Sequence, residues 1–337
     1  MTKILITGGA GFIGGNFVHH MLDKYPKYEI HNLDCLTYAG DLTKHVEYEN
    51  NQNYYFHKID IADRNEIQSL FEKYKFDYVV HFAAESHVDR SIVEPEIFVL
   101  TNVMGTQSLL DASKLNKVKK FVHVSTDEVY GELDFDPSTF FTENTPLNPN
   151  SPYSASKASS DFLVRAYHET YGLPINITRC SNNYGPYHFP EKLIPLTISR
   201  ALNNEKIPVY GKGNNIRDWL HVSDHCKAID LVLHEGINGE VYNVGGHNER
   251  TNLEVVETIL NTLEKSHDLI TFVEDRKGHD KRYAIDPTKL EKLGWRPEYK
   301  FDTGIKQTID WYTSNEKWWN DIISGEYKNY FNKQYEL

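Results

Sequence analysis

The chain has 337 residues, 39% of them hydrophobic, and a formal net charge of −12. That length and composition allow one large or two modest globular domains with a sizeable core. The acidic balance argues against a DNA- or RNA-binding surface, which needs clustered Lys and Arg. Cys35, Cys180 and Cys226 stand far apart with no C-x-x-C pattern, so reduced thiols and a cytoplasmic setting are expected. Met1 leads directly into a strand, and no apolar run reaches transmembrane length, so neither a signal peptide nor a membrane span is expected. The histidines are scattered without H-E-x-x-H or another ligand spacing, and no metal site is expected.

Residues 3–7 read as a short apolar strand. It runs straight into Gly8-Gly9-Ala10-Gly11-Phe12-Ile13-Gly14 and then a helical segment through Leu22. Gly9, Gly11 and Gly14 fit G-x-G-x-x-G, while Gly8, Gly11 and Gly14 fit the related G-x-x-G-x-x-G. Glycines so placed allow a tight turn, close approach of a pyrophosphate and close packing of helix on strand. The helix amino terminus then offers unpaired N–H groups to the anion. A second strand, 28–33, ends at Asp34, where a carboxylate meets the adenosine ribose hydroxyls of a dinucleotide. No Arg or Lys lies between Asp34 and Asp41 to hold a 2′-phosphate, so NAD is expected rather than NADP.

The alternation continues with a strand over 54–59 ending at Asp60-Ile61, an amphipathic helix over 63–74 and a strand over 77–84. A helix over 94–115 and a strand over 120–124 follow. This pattern predicts an α/β fold, a Rossmann-type doubly wound parallel sheet with ligands at the carboxyl ends of the strands. At the last of these ends Thr126, Asp127 and Glu128 stand side by side. Adjacent carboxylates there desolvate and repel, which pushes their pKa values apart and suits one acid and one base. A proline-rich connection over 131–151 leads to a helix running to about Gly172. That helix carries Tyr153 and Lys157 on one face. An ammonium so close favours the phenolate and would make Tyr153 a usable base near neutral pH.

A strand over 175–179 closes this part, and the texture then changes. Residues 182–186 read as a polar loop, followed by short helices and strands. Residues 1–181 are expected to form the cofactor domain, with segments near 215–245 returning to it. Residues 182–315 are expected to form a smaller α/β substrate domain, and 316–337 a C-terminal tail. Arg217, Arg276 and Arg282 are candidates to neutralise a diphosphate, with Arg200 and Arg250 left to the solvated surface. Trp318-Trp319 is read as packing.

The glycine turn together with Tyr153-x-x-x-Lys157 resembles the extended short-chain dehydrogenase/reductase superfamily. Within it, residues 82–92, Thr126-Asp127-Glu128, and residues 182–195, 217–222 and 275–286 are similar to the dTDP-glucose 4,6-dehydratases. The likeness spans about residues 3–315. Gly15 stands where that family commonly has serine. The resemblance implies an NAD-dependent lyase acting on dTDP-glucose, with oxidation at C4, loss of water across C5 and C6, and reduction at C6. It implies Tyr153, supported by Lys157, as the base at O4 and Thr126 as a hydrogen-bonding group to the same oxygen. Glu128 would be the base at C5, and Asp127 the acid at the C6 hydroxyl. Cofactor contacts are implied at Gly8, Gly11, Phe12, Ile13, Gly14, Asp34, Asp60, Ile61, Ala83, Ala84, Thr101, Tyr153 and Lys157. Substrate contacts are implied at Ser86, Thr126, Asn182, Lys192, Leu193, Pro208, Tyr210, Arg217, Asn252, Arg276 and His279. Asn252 reads equally as the cap of the helix that follows it. A homodimer paired through the helices near 94–115 and 152–172 is also implied. The competing readings are a UDP- or CDP-sugar dehydratase, a 4-epimerase or decarboxylase of the same superfamily, and an NAD-binding regulator. An epimerase has no need of the acid pair, and a regulator none of Tyr153 and Lys157.

Overall fold

In the computed structural model, which describes residues 1–275 and 278–324, short apolar runs pair into a seven-stranded parallel sheet. Its first six members are β1 (Lys3–Thr7), β2 (Glu29–Asp34), β3 (Tyr54–Lys58), β4 (Tyr78–His81), β5 (Lys120–Thr126) and β6 (Ile175–Cys180). Outside it come β7 (Asn182–Tyr184), β8 (Ile207–Tyr210) and β9 (Ile216–His221), before the seventh member, β10 (Val241–Val244). The order across the sheet is β10-β6-β5-β4-β1-β2-β3. Helices cover both faces, so a strand alternates between two cores rather than between core and water. Ile4 and Ile6 pack with Phe17, Val18 and Val222, whereas Leu5 packs with Ile67, Phe71 and Leu109. Each such buried side chain contributes about 1.5–3 kcal/mol.

The strand sequence reverses between β1 and β4, and ligands of open α/β sheets bind in the crevice above such a reversal. The helices beside it start where their caps dictate. Asp63 accepts from the N–H groups of Asn65 and Glu66 at 3.1 and 3.0 Å to open Arg64–Tyr74. Ser151 and Ser154 form a reciprocal capping box for Pro152–Tyr171, which has Pro152 in its first turn and ends at Gly172 with φ +68°.

Three elements differ from the sequence reading. The strand expected over 77–84 stops at His81, and residues 82–87 leave the sheet as a loop over its carboxyl end. The single helix expected over 94–115 is broken. Pro95–Phe98 is α, Val99–Gly105 is π-helical, and Thr106–Asn116 is α again. The wide turn lets the Asn102 amide bond both the N–H and the C=O of Glu85, at 2.8 and 3.0 Å, and so ties the 82–87 loop down. The polar loop expected at 182–186 begins as a strand, β7, parallel to β9. Its asparagine polarity is satisfied internally, since Asn183 meets Ser181 and His225, and Tyr184 is fully buried.

Strand β9 also pairs antiparallel with β11 (Glu249–Thr251), and β8 pairs parallel with β12 (Ile270–Val273). A third core, with Tyr184, Trp219, Phe301, Tyr312 and Trp319, lies beneath them. Among the described residues no helix is long and apolar enough to cross a membrane.

A buried charge system joins the helix Pro152–Tyr171 to the sheet. Arg179 on β6 donates to Asp161 at 2.9 Å and to the Tyr130 hydroxyl at 2.9 Å, and Tyr130 donates to Asn243 on β10 at 2.7 Å. Removing one partner strands the other charge in a dry interior. Asp161→Ala is expected to cost about 3–5 kcal/mol in urea unfolding. A loss no larger than that of a surface substitution would contradict this account.

Candidate active site

The crevice is built from backbone first. Gly8 takes φ +72°, and a Cβ there would sit 2.6 Å from the Ala83 nitrogen, so only glycine lets the ends of β1 and β4 approach. Gly11 precedes the helix Phe12–Lys24 without a side-chain cap. The first-turn residues Phe12, Ile13 and Gly14 line a cavity of about 420 Å³. Across it stands Asp34, whose carboxylate accepts from Ala10 N at 3.0 Å and Leu36 N at 2.8 Å. Asp60, held by Ala62 N at 2.8 Å, and Ile61, Ala83, Ala84 and Thr101 complete this half.

These features fit a dinucleotide. A Cβ at Gly11 would meet only the Gly8 carbonyl, at 3.1 Å, and otherwise take up open space at the helix amino terminus, where a diphosphate binds. Asp34 offers a ribose its carboxylate, and among the described residues no arginine lines this cavity.

At the other end of the cavity stand Thr126, Glu128, Tyr153 and Lys157. Thr126 caps the short turn Asp127–Tyr130, its hydroxyl accepting from Glu128 N at 3.3 Å and donating to Asp127 Oδ1 at 3.3 Å. Glu128 is half-buried and faces the cavity, whereas Asp127 is buried behind it, its Oδ2 without a hydrogen-bond partner. Burial, then the charges of Glu128 and Asp218, push the Asp127 carboxyl well above the usual range, which favours its protonated form.

Tyr153 departs from the sequence expectation. Burial and then Glu128 push its phenol well above the ordinary value, against the pull of a hydrogen bond with Thr126. Lys157, lowered to about 8 by burial, gives its ammonium to the Val124 carbonyl at 2.9 Å. In the protein alone the phenol is therefore neutral.

The expected substrate residues fall into two groups. Ser86, Asn182, Lys192 and Leu193 line the same cavity, with Lys192 Nζ 3.4 Å from the Ser86 carbonyl. Pro208, Tyr210, Arg217, Asn252 and His279 do not line it. Tyr210 bonds Asp89 at 3.3 Å and meets the His279 ring edge-on at 6.0 Å. Arg217 is buried, donating to the Asp280 carbonyl at 2.9 Å and lying over Tyr283. The cap before Asn252 is Thr251, boxed with Glu254, so Asn252 is the first helical residue rather than the cap. Arg282 is not available to a diphosphate: it is buried and bound to Glu249, Asp136 and Thr139. Arg276 lies outside the described residues.

The family model for GDP-mannose 4,6 dehydratase matches residues 5–308. A dTDP-glucose 4,6-dehydratase of Neisseria meningitidis is 50% identical, covering 97% of this chain and 98% of that protein. The chain belongs to the dTDP-glucose 4,6-dehydratase family. Two solved structures of the family superpose closely. The Bacillus anthracis enzyme in complex with NAD has a TM-score of 0.89 and 50% identity, covering 96% of this chain and all of that one. The Streptomyces venezuelae enzyme with NAD and TYD bound has a TM-score of 0.92 and 47% identity, covering 95% and 100%.

Several cavity residues were not legible in the sequence. Asn102 acts at a distance, through its bonds to Glu85 and to Ser156 Oγ at 2.8 Å. Lys44 lies just beyond the stretch from Asp34 to Asp41 that has no Arg or Lys. Trp318 was read as packing, yet it lines the cavity and donates to Asp41 at 2.7 Å across most of the chain's length. Only Trp319 of that pair is fully packed.

Since the Glu128 charge raises both Asp127 and Tyr153, Glu128→Gln is expected to lower both pKa values while burial keeps them above ordinary. A carboxyl ¹³C NMR titration, with Asp127→Asn to assign the signal, measures this. An unmoved Asp127 titration would show that the two carboxyls are uncoupled.

Proposed function

We propose that the chain converts dTDP-glucose to dTDP-4-keto-6-deoxyglucose and water as an NAD-dependent hydro-lyase. The observation that carries this reading is the unequal acid pair: a buried Asp127, its carboxyl pushed up, beside a cavity-facing Glu128. Bound NAD supplies the hydride acceptor and donor and a cationic ring. Oxidation at C4 requires the O4 proton to leave, and Tyr153 is placed to take it, with Thr126 sharing the same oxygen. The neutral phenol becomes a base only when positive charge is added near it, which ties its activation to an occupied site. The C4 ketone acidifies C5–H, and Glu128 removes that proton. Asp127 gives its proton to the C6 hydroxyl, which departs as water, leaving a C5–C6 double bond. Elimination leaves the two carboxyls with exchanged protonation states; the hydride returned to C6 must then be matched by a proton at C5, which Glu128, after exchange with solvent, supplies to complete the product. A 4-epimerase would leave Asp127 and Glu128 without a task.

Contacts to the sugar and diphosphate are assigned to Ser86, Asn182, Lys192 and Leu193, and the more distant nucleotide contacts to Pro208, Tyr210, Arg217, Asn252 and His279. With this goes the division into a cofactor part, 1–181 with a return near 215–245, and a substrate part, 182–315. The position of β10 at the sheet edge supports the return. A homodimer through the helices near 94–115 and 152–172 is supported by exposed apolar side chains there, among them Val99, Leu100, Met104 and Phe162. A cytoplasmic setting is supported by the three free thiols.

Incubation with dTDP-glucose in deuterated water is expected to give a product lighter by one water and carrying deuterium at C5. Unchanged substrate with NAD supplied would overturn the reading. Glu128→Gln and Tyr153→Phe are each expected to lower turnover by about 10²–10⁴-fold, with C5 exchange lost in the first. Because Asp127 must be protonated to act and its carboxyl is held well above the ordinary range, turnover is expected to fall through the pH range in which it ionises. A rate that rises through that range would exclude Asp127 as the acid.

A further inference from the structure

We propose that Lys44 is a further cofactor-binding residue, an ammonium in the cavity floor whose counter-charge is the diphosphate of the dinucleotide. The proposal rests on the reading that this cavity holds NAD. Lys44 is 4% exposed and lines the cavity. Its Nζ donates to the carbonyls of Ala10 and Gly11, both at 2.9 Å. These belong to the glycine turn, so the ammonium sits at the helix terminus expected to hold the diphosphate. An ammonium has three donors, and two are spent on neutral acceptors.

Among the described residues Lys44 forms no salt bridge, and a buried cation is costly unless it is paired. The groups around it do not supply the missing charge at contact distance. Asp34 and Asp41 act on it only from farther off, and the Tyr187 ring lies 5.6 Å away. His19 and His45 are held at about 4, burial first, and so are neutral. Burial accordingly lowers Lys44 to about 8 in the protein alone. The molecule also makes room for this side chain. A Cβ at Gly15 would come within 2.7 Å of Lys44 Cδ, so the glycine at 15 and the lysine at 44 go together.

Calorimetry on full-length protein stripped of nucleotide, with NAD, ADP and adenosine as titrants, tests the assignment. Lys44→Met is expected to weaken NAD and ADP by about 10- to 100-fold, the loss of one charge-assisted hydrogen bond, and to leave adenosine unchanged. Wild-type affinity for NAD is expected to fall as pH rises above about 8, because the neutral amine no longer attracts the anion. The fall should be smaller in Lys44→Met, the remainder belonging to Lys157, which is also lowered to about 8 at the other end of the cavity, while His19 and His45 stay neutral. Gly15→Ser displaces the same side chain and should reproduce the pattern, which keeps the test valid if Lys44→Met does not fold. Wild-type affinities in both variants, or an equal loss for adenosine and ADP, would overturn the proposal. Failure of the wild type itself to bind NAD would instead remove the cofactor reading on which it stands.

Discussion

Lys157 donates its ammonium to the Val124 carbonyl from within the helix Pro152–Tyr171, and the positions of the reacting groups follow from that buried bond. The bond pins the helix across the end of β5. One turn before it stands Tyr153, brought against Thr126. One turn after it stands Asp161, bound to Arg179 on β6. The helix is thus held at successive turns by one carbonyl and one ion pair, and started in register by its Ser151 box. A helix free to slide by one residue would rotate Tyr153 by about 100° and remove it from the cavity.

The same burial that fixes these groups also sorts their charges. Asp127, Tyr153 and Lys157 are all driven toward their neutral forms by loss of water. Glu128, half-buried at the cavity wall, is the source that raises both Asp127 and Tyr153. The Glu128 charge thus adds to burial at both groups, so the acid and the phenol are coupled through a single side chain. Lys157 acts on Tyr153 less as a direct counter-ion than as the fastener of the helix that carries it.

The part of this arrangement that depends on local order was legible in the sequence. Apolar runs too short for helices, the glycine turn and the aspartate at the end of β2 define the sheet and its ligand crevice, because each signal lies within one βαβ unit. The acid pair and the Tyr-Lys spacing were visible for the same reason. What escaped was set by tertiary contact. Asn182 to Tyr184 look like a loop because their amides meet partners that sequence does not place nearby, such as His225. The π-turn over 99–105 follows from Asn102 reaching the 82–87 loop, and nothing in its own segment announces that. Arg282, a credible phosphate ligand by charge, is consumed by Glu249 and two carbonyls. The spacing of Tyr153 and Lys157 shows an ammonium on the phenol's helix face, but not the burial and the Glu128 charge that raise the phenol.

The two walls of the cavity have different physical tasks, and this explains why the chain needs so much sequence beyond its sheet. The segment after β2 is closed over the adenosine end by Asp41, which accepts from Thr43 and from Trp318 of the helix Glu316–Ile323. Trp318 and Ile322 thereby turn the last described helix into part of the cavity wall. The opposite wall comes from residues 182–193, where Glu191 receives the Tyr38 hydroxyl at 3.1 Å and stands 3.6 Å from His87. A cofactor that is regenerated within each turnover need not leave, so its wall can be fastened by hydrogen bonds between distant parts of the chain. On the proposed assignment the sugar must enter and depart, which suits Ser86, Asn182 and Lys192, cavity side chains that remain partly open to solvent.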